Sequence, residues 1–212
     1  MCSNYKFPAK GQLRLLDVNV DQFDIELKDH VYPAYHAPII MRGFELDVAK
    51  FGMLPSWAKD FKFSNHTYNA RTETIAEKPS FRHAWKFSKF CLVPVIEFYE
   101  PKYINGTPHW YTIRRDDCQP FTVAGIYEDA VIRDSKVRSF SMLTINADQH
   151  PFMKQFHAPA DEKRSIIVIP EQYRNDWLNA DHDHAHEYFF EIQNEYVTYP
   201  RESPVNLQGS LL

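Results

Sequence analysis

Cysteine is scarce in this chain: Cys2, Cys91 and Cys118 are the only three in 212 residues. They form no CxxC pair and no even framework, which argues against a disulfide-stapled fold and a cysteine-rich zinc site. Glycine is rarer than proline, 6 against 14, so the chain is not a flexible low-complexity polymer. No stretch reaches the roughly 18 consecutive apolar residues of a membrane-spanning helix. The first thirty residues carry Asp17, Asp21 and Asp24 and lack the apolar run of a secretory signal. A reducing, cytoplasmic location with no membrane partner is therefore expected. There, the sequons at Asn65-His66-Thr67 and Asn105-Gly106-Thr107 mark turns and not glycans. An excess of positive charge is missing too. The formal net charge of −4 gives no support to general nucleic-acid binding, while leaving room for a local basic groove.

What is present is an ordinary globular composition, 44% hydrophobic and 25% charged, rich in aromatic residues at 15%. The length suits one large domain, and no repeat, linker or charge block divides residues 1–212. "LRLLDVNVDQF" fits either a short helix or a strand. "HVYPAYHAPIIM" reads as an extended segment running into a strand, and "FELDVAKFGMLPSWA" as a strand ending at Pro55. "RTETIAEKPSFRHAWKFSKF" is helical in flavour, broken at Pro79, with Ser80 expected to cap a second helix. "CLVPVIEFYEP" predicts a buried strand followed by a turn, with "INGTPHWYTIR" as a returning hairpin strand. "FTVAGIYEDAVI" and "VRSFSMLTINA" predict two more strands. "SIIVIPEQYRNDWL" predicts a buried strand leading into a helix, with Pro170 in its first turn. The expectation is a β-rich α+β fold, a mainly antiparallel, barrel-like sheet with a few flanking helices.

The chain opens "MCSNY". Initiator methionine is usually trimmed before a small side chain, which would leave Cys2 with a free α-amine beside its thiol. That amine has an ordinary pKa of about 8, so a neutral fraction survives at neutral pH. Amine and thiol together form a two-headed reagent for aldehydes: the nitrogen condenses, then sulfur closes an unstrained five-membered thiazolidine. From "MC" alone, a frayed terminus is the simpler account.

Five segments occur in order after it: "TYNARTETIAEKPSFR", "KFCLVPVIEFYEP", "FTVAGIYE", "LTINAD" and "QFHAPADEKRSIIVIP". With the initial "MC" and the late "YPRESPVN", they resemble the SRAP family, the SOS-response-associated peptidases that process abasic sites. The likeness spans about residues 1 to 206, and "NARTETIAEKPSF" is close to a family signature. The resemblance implies a β-rich α+β fold and crosslinking to abasic sites in single-stranded DNA through an N-terminal cysteine bared by loss of Met1. It carries over Cys2 as nucleophile, Asn69 of "NAR", Glu100 of "FYEP" and His157 of "QFH", with Arg71 as a DNA-backbone contact. The chemistry suits them. Opening a cyclic hemiacetal needs a proton moved at the sugar oxygen, a task for a histidine. Imine formation needs an acid and a base, and an asparagine both donates and accepts without changing charge. The family name further implies that Cys2 assists removal of Met1.

The pattern also departs from the family. The usual "MCGR" is here Met1-Cys2-Ser3-Asn4, which removes a charge near DNA phosphate. The usual "DGFYEW" is Ile96-Glu97-Phe98-Tyr99-Glu100-Pro101, and strand alternation sets Glu97 on the face opposite Glu100. The Arg-Met-Pro after the histidine is Arg164-Ser165-Ile166, with Arg164 carried over as a further DNA contact. Trp57 matches an aromatic that wedges against bases, or else a core tryptophan. Arg82, Lys86 and Lys89 would share a helix face, either a phosphate-binding surface or a solvated one. The histidines of "DHDHAHE" (His182, His184, His186) read as a hydrophilic loop, so neither metal nor cofactor is expected. The expected partner is single-stranded DNA with an abasic site, met by a monomer. Three alternatives stay open: a cysteine hydrolase built on Cys2, His157 and Asn69, a non-catalytic single-stranded DNA-binding module, and a metal-binding protein built on the histidine cluster.

Overall fold

The computed structural model describes residues 2–20, 28–193 and 195–201. In chain order the strands are β1 (Tyr5–Lys6), β2 (His30–Val31), β3 (His36–Ile40), β4 (Leu46–Phe51), β5 (Asn69–Arg71), β6 (Phe90–Val95) and β7 (Glu97–Ile104). They continue as β8 (Thr107–Arg115), β9 (Phe121–Ile132), β10 (Ser135–Asn146), β11 (Arg164–Ile166), β12 (Val168–Ile169) and β13 (Tyr196–Pro200). Short helices α1 (Lys10–Leu13), α2 (Arg82–Lys86) and α3 (Arg174–Asn179) lie between them.

Strands β10, β4, β3, β6 and β9 pair in that order, and β9 pairs back to β10, so the strands close into a ring. All its pairings are antiparallel except β4 with β10. Closure removes the open edges that a flat sheet would present. The long β9–β10 hairpin turns at Arg133 and Asp134, both left-handed with φ of 50° and 63°. A two-residue turn matched to the strand twist requires that backbone. A second antiparallel sheet runs β13-β8-β7-β1-β2.

Both faces of the ring are covered, which is why "FCLVPV" is buried throughout instead of alternating. Cys91, Val93, Phe140 and Met142 face a core shared with Tyr5, Phe98 and Ile113 of the second sheet. Phe90, Leu92 and Leu143 face the other way, against Trp85 of α2 and Trp177 of α3. The Phe90 and Trp177 rings stack at 4.5 Å, and the Trp177 Nε1–H donates to the Cys91 carbonyl at 2.9 Å. Gly125 of β9 is needed here: a Cβ would sit 2.9 Å from Cys91 Sγ and 3.2 Å from the Ser141 carbonyl.

The structure revises three expectations. "RTETIAEK" is a chain of turns after β5 instead of a helix; β5 is drawn into parallel pairing with β10. Ser80 caps nothing, because the α2 N-cap is Phe81, whose own N–H returns to the Lys78 carbonyl. "CLVPVIEFYEP" is two strands hinged at Ile96, one in each sheet, and the second runs on through Pro101. "LRLLDVNVDQF" resolves as helical turns over Leu13–Leu16, and its residues 21–23 lie outside the described residues.

Candidate active site

The N-terminal segment is threaded into the shared core by β1. Tyr5 pairs with Phe98 of β7, and the Tyr99 N–H donates to the Asn4 carbonyl at 3.1 Å. This register carries Cys2 toward Glu100, on the same strand. Cys2 is only 1% exposed, and its thiol donates to the Asn4 carbonyl at 3.6 Å. From the other side, the Asn69 amide donates through Nδ2 to the Cys2 carbonyl at 2.8 Å. Asn69 is held by pairing with Met142. Its Oδ1 is buried and has no hydrogen-bond partner among the described residues.

Glu100 is 2% exposed and His157 7%, and Glu100 Oε2 lies 2.9 Å from His157 Nε2. The Arg164 N–H is directed at His157 Nδ1 from 3.4 Å, which makes Nδ1 the acceptor and Nε2 the proton-bearing atom toward the carboxylate. His157 has a φ of 65°, a left-handed conformation that costs a non-glycine residue about 1–3 kcal/mol. Its own N–H offsets that strain by donating to the Pro101 carbonyl at 2.7 Å, locking the loop to the strand that carries Glu100. Such strain gathers where a side chain must be aimed.

Burial pushes the Cys2 thiol far above its ordinary range, and the Glu100 carboxylate adds to the rise. The thiol is therefore neutral at physiological pH in this arrangement. Tyr68, packed against the same core cluster as Cys2, is raised by burial, then by Cys2 and Glu100. Tyr5 is pushed up by burial and by Cys2 and Cys91. Sequence reasoning missed both tyrosines, since nothing marks them among 12.

The four residues carried over as catalytic thus lie together. Arg71 is on the same face of β5 as Asn69, exposed at the rim, and pairs with Glu162 at 2.7 Å. Arg164 is not at the surface as a DNA contact would be. It is 2% exposed, forked onto Glu73 at 2.8 and 2.9 Å, and bonded to Glu162 and the Thr144 carbonyl. Its guanidinium anchors the loop and its backbone aims the imidazole. Glu97 turns away from Glu100 and accepts from the Tyr99 hydroxyl.

Trp57 is 52% exposed, edge-on to Phe63 at 5.0 Å, in a turn after β4. Arg82 and Lys86 are exposed on α2, which covers the ring face opposite to the one that packs Cys2. Lys89 leaves that group to pair with Glu128. His182, His184 and His186 do not converge: His182 lies within ion-pair distance of Asp181, His184 bonds to Glu187 and His186 to the Asp183 carbonyl.

A ring barrel joined to a second sheet, with a buried N-terminal cysteine between an asparagine and a Glu–His pair, defines the class of protein. The family described as SOS response associated peptidase (SRAP) matches residues 1–207, and the chain belongs to that family. Among curated relatives, abasic site processing protein YoaM of Bacillus subtilis (strain 168) is 33% identical over 176 residues, covering 76% of this chain and 73% of the relative. Abasic site processing protein YoqW of the same organism is 30% identical over 189 residues, covering 84% and 80%. A solved protein from Bordetella bronchiseptica superposes with a TM-score of 0.86 at 26% identity, covering 95% of this chain and all of that one (100%). One from Bacteroides thetaiotaomicron shares the fold, with a TM-score of 0.76 at 24% identity over 95% and 92%.

Proposed function

We infer that this chain processes abasic sites in single-stranded DNA by forming a covalent link through Cys2. The names of the curated relatives support the substrate. One observation carries the chemistry: Cys2 is held by Asn69 through its carbonyl, and its segment is bonded to the strand that carries Glu100, which meets His157 at 2.9 Å. Met1 lies outside the described residues, and its removal is the step that frees the Cys2 amine. Glu100 or His157 returns a proton to the deoxyribose ring oxygen as the hemiacetal opens to the aldehyde. The neutral amine adds to the aldehyde carbon, and Asn69 Oδ1 accepts a hydrogen bond from it. Loss of the hydroxyl as water, with a proton from the acid–base pair, leaves the imine. The thiol then adds to the imine carbon, sulfur bonding to carbon and its proton passing to nitrogen. The net change is loss of one water. A thiol kept neutral by burial favours this amine-first order, and its attachment to the same residue supplies an effective molarity of about 10⁵ M or more in favourable cases. Release would proceed by the reverse steps, or by β-elimination from the imine.

A papain-like hydrolase gains no support from the geometry. His157 turns Nε2 to Glu100 and presents Nδ1 to the Arg164 N–H, while Cys2 Sγ donates to the Asn4 carbonyl.

The test is a denaturing gel of the protein with an oligonucleotide bearing one abasic site. The wild type gives a heat-stable shifted band, Cys2→Ala gives none, and Glu100→Gln slows its appearance about 10²-fold or more. A band of undiminished intensity with Cys2→Ala would refute the reading.

A further inference from the structure

Away from Cys2, a cavity of about 740 Å³ opens between the ends of β8 and β12 and the start of α3. Its volume suits a drug-sized or nucleotide-sized molecule. Arg174, the first residue of α3, lines it and is 6% exposed. The Arg174 Nε and Nη1 are buried with no hydrogen-bond acceptor among the described residues. Asp17 Oδ2 is 4.0 Å from Nη1, beyond hydrogen-bond length, and the Asp17 side chain is 72% exposed. A buried charge is costly unless paired and hydrogen-bonded, and the Arg174 guanidinium on this cavity has only a loose, exposed counterion in Asp17, which leaves it able to take an anion. Arg115, on the same wall, brings a second guanidinium, held by Asp117 at 2.6 and 2.9 Å.

The rest of the lining narrows the class. Tyr173 and Phe190 stack at 5.0 Å, and Phe121 and Ile169 add apolar surface. Glu171, Glu191 and Glu195 stand exposed at the mouth and oppose a polyanion such as a DNA backbone. We propose that this cavity binds a small organic anion, a single carboxylate or phosphate on a flat apolar body. The oxyanion takes the Arg174 guanidinium in charge-assisted hydrogen bonds, and the body lies against Tyr173 and Phe190. None of the residues assigned to the abasic-site chemistry lines the cavity.

The full chain is titrated by calorimetry with benzoate, thymidine 5′-monophosphate and inorganic phosphate. Benzoate or the nucleotide binds with a Kd of about 1 mM or better, and whichever binds identifies the head group; inorganic phosphate, lacking the body, is at least about tenfold weaker. Arg174→Met loses binding at least about tenfold, yet melts no lower than the wild type without ligand, because the buried charge it removes has no hydrogen-bonded counterion. Should Arg174→Met not fold, Arg174→Lys, which keeps the charge and loses the fork, shows the weakened binding. No binding by any of the three probes at about 10 mM overturns the proposal. So does binding that survives substitution of Arg174, or a lowered melting point in Arg174→Met with no probe bound.

Discussion

Three cysteines with three different surroundings make a direct test of the Cys2 environment. Cys2 and Cys91 are buried, and burial raises both thiols far above their ordinary range; Cys118 is exposed. Iodoacetamide reacts with thiolate, so brief treatment of the native protein at about pH 8 should label Cys118 and spare the other two. Peptide mapping checks this, and Cys2 labelled as fast as Cys118 would contradict a neutral, desolvated nucleophile. At this scale the sequence was informative about which residues gather, where their own chemistry and the family order mark them. Cys2, Asn69, Glu100 and His157 were all legible, and they meet. Arg164 was not, because the carboxylate it forks onto, Glu73, lies ninety-one positions earlier in sequence and only the tertiary fold brings the two together.

The element that aims His157 is a strained loop, held at one end by Pro101 and at the other by the Arg164–Glu73 fork. Burial acts to raise Glu73, but the hydrogen bond and charge of Arg164 outweigh it and hold the carboxyl below the ordinary glutamate range. A depressed folded-state pKa means that the stabilisation is complete at neutral pH, above the unfolded value. It is lost as the pH falls through the folded value. The wild type should therefore lose stability on acidification below about pH 4.5 more steeply than Glu73→Gln, which lacks this titration. Melting curves from pH 7 to 3 check it, and parallel profiles would contradict the anchoring role. "RTETIAEK" shows why local pattern failed at this scale. Its spacing permits a helix, but "NAR" pairs with β10 and the turns that follow deliver Glu73 to Arg164. Tertiary pairing overrode a weak local preference.

For the whole molecule, strand content and the β7–β8 and β9–β10 hairpins could be read from alternation and turn residues. The ring could not. Its closure depends on β4 lying parallel to β10, a pairing between strands about ninety positions apart that leaves no periodic trace in either. Nor could the sequence show that Cys2 packs into the core shared by the two sheets instead of fraying. For the chemistry proposed above, the fold has one part: it brings the segments that carry residues 2, 69, 100 and 157 together.

That claim is tested most directly by locating the bond. Protein reacted with single-stranded abasic DNA is digested with nuclease and trypsin, and the adduct peptide is sequenced by mass spectrometry. The account predicts the sugar remnant on the peptide Cys2–Lys6, without Met1, one water lighter than the sum of its parts. Both its α-amine and its thiol should resist acylation and alkylation, as a thiazolidine requires. A remnant on a lysine elsewhere, or on Cys2 through sulfur alone with the amine still reactive, would contradict it.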